Sequence, residues 1–180
     1  MKTLKFLVVL SWILFSKSYD AYCTYLHTPD LSKEENPLVS ILGLNWFWLL
    51  IVIGSLTIYT CYTLALITFK PIKLYPLEKG YSFSNFIGYM YLGKKSSWLS
   101  IIYRVPPIRN KRFHYTFGNI FVRYLVFAGI VSTVMWLLIN NSETYRAIHN
   151  HLVIYGILIS GTLIILYNYY KTNYNKYQAQ

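Results

Sequence analysis

The sequence predicts an all-α protein built as a polytopic membrane helix bundle, with four transmembrane helices and an interfacial segment in the connection between the second and third. Two observations carry that prediction. The apolar residues, 55% of the chain, fall in long unbroken blocks, while Asp, Glu, Lys and Arg together make up only 13%; soluble domains average about 25% charged residues. Blocks of that length match lipid rather than a one-sided protein core. The second observation is the charge distribution. The formal net charge is +11, and the basic residues crowd into one connection.

The first helix is expected over residues 4–26. That span would measure roughly 34 Å, enough to cross a hydrocarbon core of about 30 Å. Residues 1–18 also admit a second reading. Lys2 and Lys5 precede the apolar run, and Ser16 and Ser18 are small residues suited to a signal-peptidase site.

Residues 27–36 form a polar connection in which Pro29 and Asp30 start a turn. Asn36-Pro37 reads as the start of the second helix, expected over residues 37–69. An Asn side chain accepts a free backbone N–H at a helix start, and Pro costs nothing at the next position. Lys70-Pro71 ends that helix, because the residue before proline is biased away from helix.

Residues 70–114 are the basic connection. Lys70, Lys73, Lys79, Lys94, Lys95, Arg104, Arg109, Lys111 and Arg112 stand there against a single acid, Glu78. Its segment 83–103 is moderately apolar but interrupted by Gly88, Gly93 and Lys94-Lys95, which suits short helices lying in the interface. The third helix is expected over residues 115–140 and the fourth over residues 148–170. Gly156, Ser160 and Gly161 offer small residues for close helix contact on the fourth. The tail beyond it has little to bury and is expected to fray. The many tyrosines and tryptophans suit the membrane–water boundary, since their rings are apolar with a polar tip.

Lysines and arginines collect on the cytoplasmic side of membrane proteins. The basic connection and both termini are therefore expected in the cytoplasm of a cell-membrane protein, with the acidic 27–36 loop outside. Cys23 and Cys61 then lie near opposite faces, and no intrachain disulfide is expected. The basic, aromatic stretch 104–123 is explained by orientation and by contact with anionic lipid, without nucleic acid.

Four of the six carboxylates, Asp20, Asp30, Glu34 and Glu35, lie in the stretch 20–40, which joins the end of one apolar segment to the start of the next. Asp20 and Thr24 share a helix face at a spacing of four, and Glu34, Glu35, Asn36 and Pro37 open the next helix. This Asp-x3-Thr pattern followed by Glu-x-Asn-Pro resembles the DUF5658 family of small prokaryotic membrane proteins, over about residues 16–66. The resemblance implies a compact helical membrane topology and no particular activity; the long basic connection departs from the family's plan.

Two readings of the motif stand. In one, Asp20, Thr24, Glu34, Glu35 and Asn36 supply oxygen ligands for a divalent cation such as Ca²⁺ or Mg²⁺. In the other, Asn36-Pro37 is a helix cap, Asp20 bonds Thr24 or nearby backbone, and the glutamates are solvated. His149 and His151 fall on the same outer side and are expected to lie on different sides of a helix, with a His/carboxylate metal site as the sharper alternative. No nucleophile–base spacing, glycine-rich phosphate loop or paired-cysteine motif is present. The expected function is thus a non-enzymatic scaffold, accessory or partner-binding membrane protein, with a membrane-protein partner or a second copy of the chain as candidate partners. The alternatives are a transporter or ion-binding protein using the Asp20 cluster, and an intramembrane enzyme.

Overall fold

The computed structural model describes residues 1–32, 34, 36–104 and 110–180. These form helices throughout, with no strand among the described residues: α1 (Lys2–His27), α2 (Pro37–Ser40), α3 (Trp46–Phe69), α4 (Phe83–Leu92), α5 (Ser100–Tyr103), α6 (Lys111–Asn141), α7 (Glu143–Ile148) and α8 (His151–Gln178). Three of them, α3, α6 and α8, are long and apolar enough to cross a membrane. Glu35, Lys33, Arg109 and the Pro106-Pro107 pair lie outside the described residues.

α6 is the central element and packs against α1, α3, α4, α7 and α8. Its glycines let neighbours approach closely. A Cβ on Gly118 would overlap the Thr63 side chain of α3, and one on Gly129 would come within 2.5 Å of Ser16 Oγ on α1. Ile13, Leu64, Val122 and Leu125 close the core between these three helices. On α8 only Gly161 serves the expected role, meeting the Phe127 ring; Gly156 faces open space and Ser160 is exposed.

Several expected boundaries move. The long second helix is two helices, because the chain breaks after Ser40. Gly43 takes a left-handed φ of +64°, which glycine adopts without a Cβ penalty. Asn45 then caps α3 by accepting the Trp48 N–H at 3.2 Å. α6 starts earlier than expected, at Lys111, because the Asn110 side chain accepts the N–H groups of Arg112 and Phe113. A separate short helix, α7, precedes α8.

The expected frayed tail is ordered helix up to Gln178, and here the tyrosines find a second use. Tyr81, Tyr91, Tyr169 and Tyr177 are buried with Leu74, Phe86, Met90 and Ile120, and Tyr75, Tyr89, Tyr115, Tyr170 and Tyr174 pack around them. Roughly half of the tyrosines thus form a core rather than a boundary belt. Their hydroxyls hold the irregular segment before α4. Tyr177 Oη donates to the Glu78 carbonyl at 2.8 Å and accepts the Tyr81 N–H at 3.1 Å, and Tyr174 Oη donates to the Tyr81 carbonyl at 3.0 Å. Backbone groups without a helix or sheet need such partners when buried. α4 is therefore docked onto α6 and α8. Thr116 Oγ1 on α6 donates to the Met90 carbonyl, and Asn110 Nδ2 donates to that of Tyr91.

Burial pushes the Tyr91 hydroxyl well above the ordinary tyrosine range, with the Tyr170 hydroxyl beside it adding to the effect. A raised folded-state value means stability that is complete below the unfolded value of about 10 and lost as pH climbs above it. Thermal melts in detergent should be flat from about pH 7 to 9 and fall above about pH 10, with Tyr91→Phe delaying the fall. In a second test, Gly118→Leu should overpack the α3–α6 crossing and cost about 1–3 kcal/mol in the same melt, whereas Gly156→Leu should leave it unchanged.

Candidate functional site

The seam between α1 and α6 places the first candidate residue. The two helices run in the same direction. Trp12, Ser16 and Asp20, spaced by four, lie on one face of α1 and meet α6 in order. Trp12 Nε1 donates to the Val126 carbonyl at 3.2 Å, Ser16 sits on Gly129, and Asp20 Oδ1 accepts from Ser132 Oγ at 2.5 Å and from Trp136 Nε1 at 2.8 Å. Ser132 lies in the middle of the unbroken apolar run 124–139 of α6. Asp20 is therefore level with the centre of that run. The sequence had placed it at the far end of its own helix, beside Thr24 or nearby backbone. Its partners are on α6 because α1 packs offset along α6.

The Glu34-x-Asn36-Pro37 motif folds as consecutive caps. Glu34 Oε1 accepts the Asn36 N–H at 2.9 Å, and Asn36 Oδ1 accepts the Leu38 N–H at 3.0 Å, which starts α2 at Pro37. Trp46 Nε1 donates to the Pro29 carbonyl and ties this loop to the start of α3. The helix-cap reading thus describes Asn36 and Pro37. Glu35 lies outside the described residues.

His149 and His151 are not on one helix. His149 ends α7, and Asn150 caps α8 by accepting the Leu152 N–H at 2.8 Å, so His151 begins the next helix. His149 Nδ1 is 3.4 Å from Tyr145 Oη. Arg146, one turn earlier, donates from Nε to the Ile139 carbonyl in the last turn of α6, where helix carbonyls lack partners of their own.

These separate pieces line one cavity of about 750 Å³ between α1, α3, α6 and α8. Thr24, His27, Glu34, Asn36, Pro37, Arg146, His149 and His151 surround its loop end. Asp20 and Ser132 lie further in, with Lys17 and Tyr124 deeper still. Leu49, Ile53, Val131, Met135, Ile154 and Leu158 supply apolar walls. The sequence did not single out Ser132, Trp136, Arg146 or Lys17 for this site. Ser132 and Trp136 are spaced by four on α6 and complement the Asp20 stripe, but the pairing of the two stripes is visible only once the register is known.

The arrangement sets polar groups beside apolar surface. Among the described residues Asp20 has no cationic partner in ion-pair contact; it accepts from two neutral donors, both on Oδ1. Lys17 stands one turn away on the same helix without contacting it. Among the described residues no three His, Cys, Asp or Glu side chains come together in a way that could hold a metal ion. Cys23 and Cys61 are both free, and Asn140 Nδ2 lies 3.7 Å from Cys23 Sγ. Comparison with protein-family models, with curated proteins and with solved structures finds no match.

Asp20→Ala removes both interhelical bonds, whereas Asp20→Asn keeps an acceptor oxygen for Ser132 and Trp136. Interhelical hydrogen bonds in membrane proteins are worth about 0.6 kcal/mol on average and up to about 1.7. Asp20→Ala should therefore destabilise by about 1–3 kcal/mol, and Asp20→Asn by less than half of that. Equal melting points for the two variants would mean that these bonds do not hold α1 on α6.

Proposed function

We propose that this chain is a multi-pass protein of the cell membrane that binds, without chemical turnover, a lipid-soluble molecule in the cavity around Asp20. The polar end of that molecule is cationic or rich in hydrogen-bond donors. Four helices span in this reading: α1 beside α3, α6 and α8. Both termini and the basic connection face the cytoplasm, and the loops holding Glu34, His149 and His151 face outward. The DUF5658 resemblance is compatible with such a topology, and the proposal does not depend on it.

The observation that carries the reading is the convergence of side chains from α1, the loop after it, α6, α7 and α8 on one cavity around a carboxylate with no cationic partner among the described residues. Ionisable groups at membrane depth are expensive and usually functional. Support for a spanning α1 comes from its two faces. Ile13, Ser16 and Cys23 are buried in the bundle, while Leu4, Leu7, Val8, Leu14 and Phe15 are exposed. The same burial favours a retained first helix over a cleaved signal. The scaffold or accessory reading would rest on the exposed apolar face of α8, with Leu152, Val153, Ile159 and Leu163, and lipid alone would cover that face.

The test is mass spectrometry of the protein purified from membranes in mild detergent. The wild type should carry a stoichiometric small molecule. Asp20→Asn should reduce its occupancy about tenfold or more, the loss expected for one charge-assisted hydrogen bond. Ala21→Trp, which fills the cavity from α1, should abolish it. A wild type with nothing bound, or equal occupancy in all three proteins, would refute the reading.

A further inference from the structure

At the opposite end of the bundle a second cavity, of about 730 Å³, lies between the segment before α4, the first half of α6 and the end of α8. The charged side chains that line it are all of one sign, Lys73, Arg123 and Lys176, and Gln180 closes one edge. Neutral donors from Asn119, Asn168 and Asn173 join them. From these residues we infer that this groove is a binding site for a phosphate-bearing anion at the membrane surface, the headgroup of an anionic phospholipid. The inference rests on the membrane placement proposed above but not on the Asp20 cavity.

Three independent features support it. The first is that the site is held in shape by bonds that leave its cations available. Arg112, outside the groove, donates from Nη1 to the Lys73 carbonyl at 3.1 Å and from Nη2 to the Leu74 carbonyl at 2.5 Å, fixing the wall that carries Lys73. Tyr75 Oη donates to Asn173 Oδ1 at 2.9 Å, pinning that wall to α8. Arg123 uses Nε on Asn119 Oδ1 and rests its guanidinium against the Tyr169 ring, 5.7 Å from the centroid. Its terminal nitrogens, and the ammonium groups of Lys73 and Lys176, make no ion pair among the described residues. A guanidinium so placed presents paired donors suited to a phosphate.

The second feature is depth. Arg123 immediately precedes the apolar run 124–139 of α6, and Asn168 follows the apolar stretch 152–166 of α8. Both helices leave the apolar belt at the level of the groove, where headgroups sit. The third is the wall itself. Leu77 is 98% exposed beside Lys73, and Ile72 lines the same side. Apolar groups at the mouth of a basic pocket suit a lipid better than a free anion, and basic pockets between membrane helices on the cytoplasmic side commonly hold such headgroups.

Native mass spectrometry of detergent-solubilised protein, titrated with phosphatidylglycerol, with phosphatidylcholine and with inorganic phosphate, tests the site. A carbonate wash of the membranes first checks that the chain stays membrane-embedded, so failure of that reading is seen separately. The wild type should favour phosphatidylglycerol over phosphatidylcholine. Lys73→Gln combined with Lys176→Gln should weaken that preference about ten- to thirtyfold, as expected for two surface lysines. Both residues are exposed, so the fold should be retained. Lys79→Gln with Lys94→Gln removes the same charge outside the groove and should leave the preference intact. Phosphate that displaces phosphatidylglycerol from the wild type, and is itself not bound by the Lys73/Lys176 variant, would uphold the site with a soluble anion as its source. No preference in the wild type, a preference that survives the groove variant, or equal losses in both double variants would overturn it.

Discussion

The bond from Asp20 to Ser132 and Trp136 is the constraint on which the half of the molecule that holds the α1–α3 loop depends. A carboxylate among apolar helices must be hydrogen-bonded or lose far more free energy than a helix contact can supply. Only one offset of α1 along α6 meets that demand while also seating Ser16 on Gly129 and Trp12 on the Val126 carbonyl. Fixing the offset fixes where α1 ends, and so where the loop to α3 must run. Trp46, bonded to the Pro29 carbonyl, and the Glu34–Asn36 caps then close that loop over the helix ends. The cavity is the space left when four helices are held at these positions.

The opposite half, around α4, is organised by a different chemistry. Its backbone between α3 and α4 has no ladder of its own, and the tyrosine hydroxyls of α8 replace one. This explains why α8 continues as helix past its apolar stretch: Tyr169, Tyr174 and Tyr177 recur on the face that meets α4. A tyrosine satisfies two needs at once, burying a ring and carrying a hydrogen-bonding group to its far edge. The result is an ordered cap on the basic end, in which Arg112 spans two carbonyls and lies 4.8 Å from the Tyr89 ring centroid.

The helical class and the cap at Asn36-Pro37 were legible in the sequence because each is a local signal, set by composition or by adjacent residues. The break at Gly43 was hidden inside an apolar run, where hydropathy alone continues the helix. The tail was misread for the opposite reason: its tyrosines and asparagines look unable to bury anything until the loop they bond is in place. Likewise Asp20, Glu34, His149 and His151 were each visible as candidates, yet nothing local brings them together. Their convergence depends on the α1–α6 offset and on the Asn150 cap, which ends one helix and begins another between the two histidines.

That same offset accounts for the mixed composition of α1. Read as a string, Lys17 and Asp20 interrupt the apolar character of this helix, since composition averages over all faces. In the fold, Asp20 is turned to α6 and Lys17 to the cavity, while Leu4, Leu7, Val8 and Phe15 point outward. Over this stretch the helix sets Ser16 and Asp20 among the apolar residues of its inward face and turns large apolar side chains outward. Polar groups on such a face are a cost only if nothing answers them. α6 answers Asp20 with a hydroxyl and an indole, both on the oxygen Oδ1, and neither neutralises the charge. In the binding reading proposed above, that oxygen is what the positive or donor-rich end of a ligand would meet.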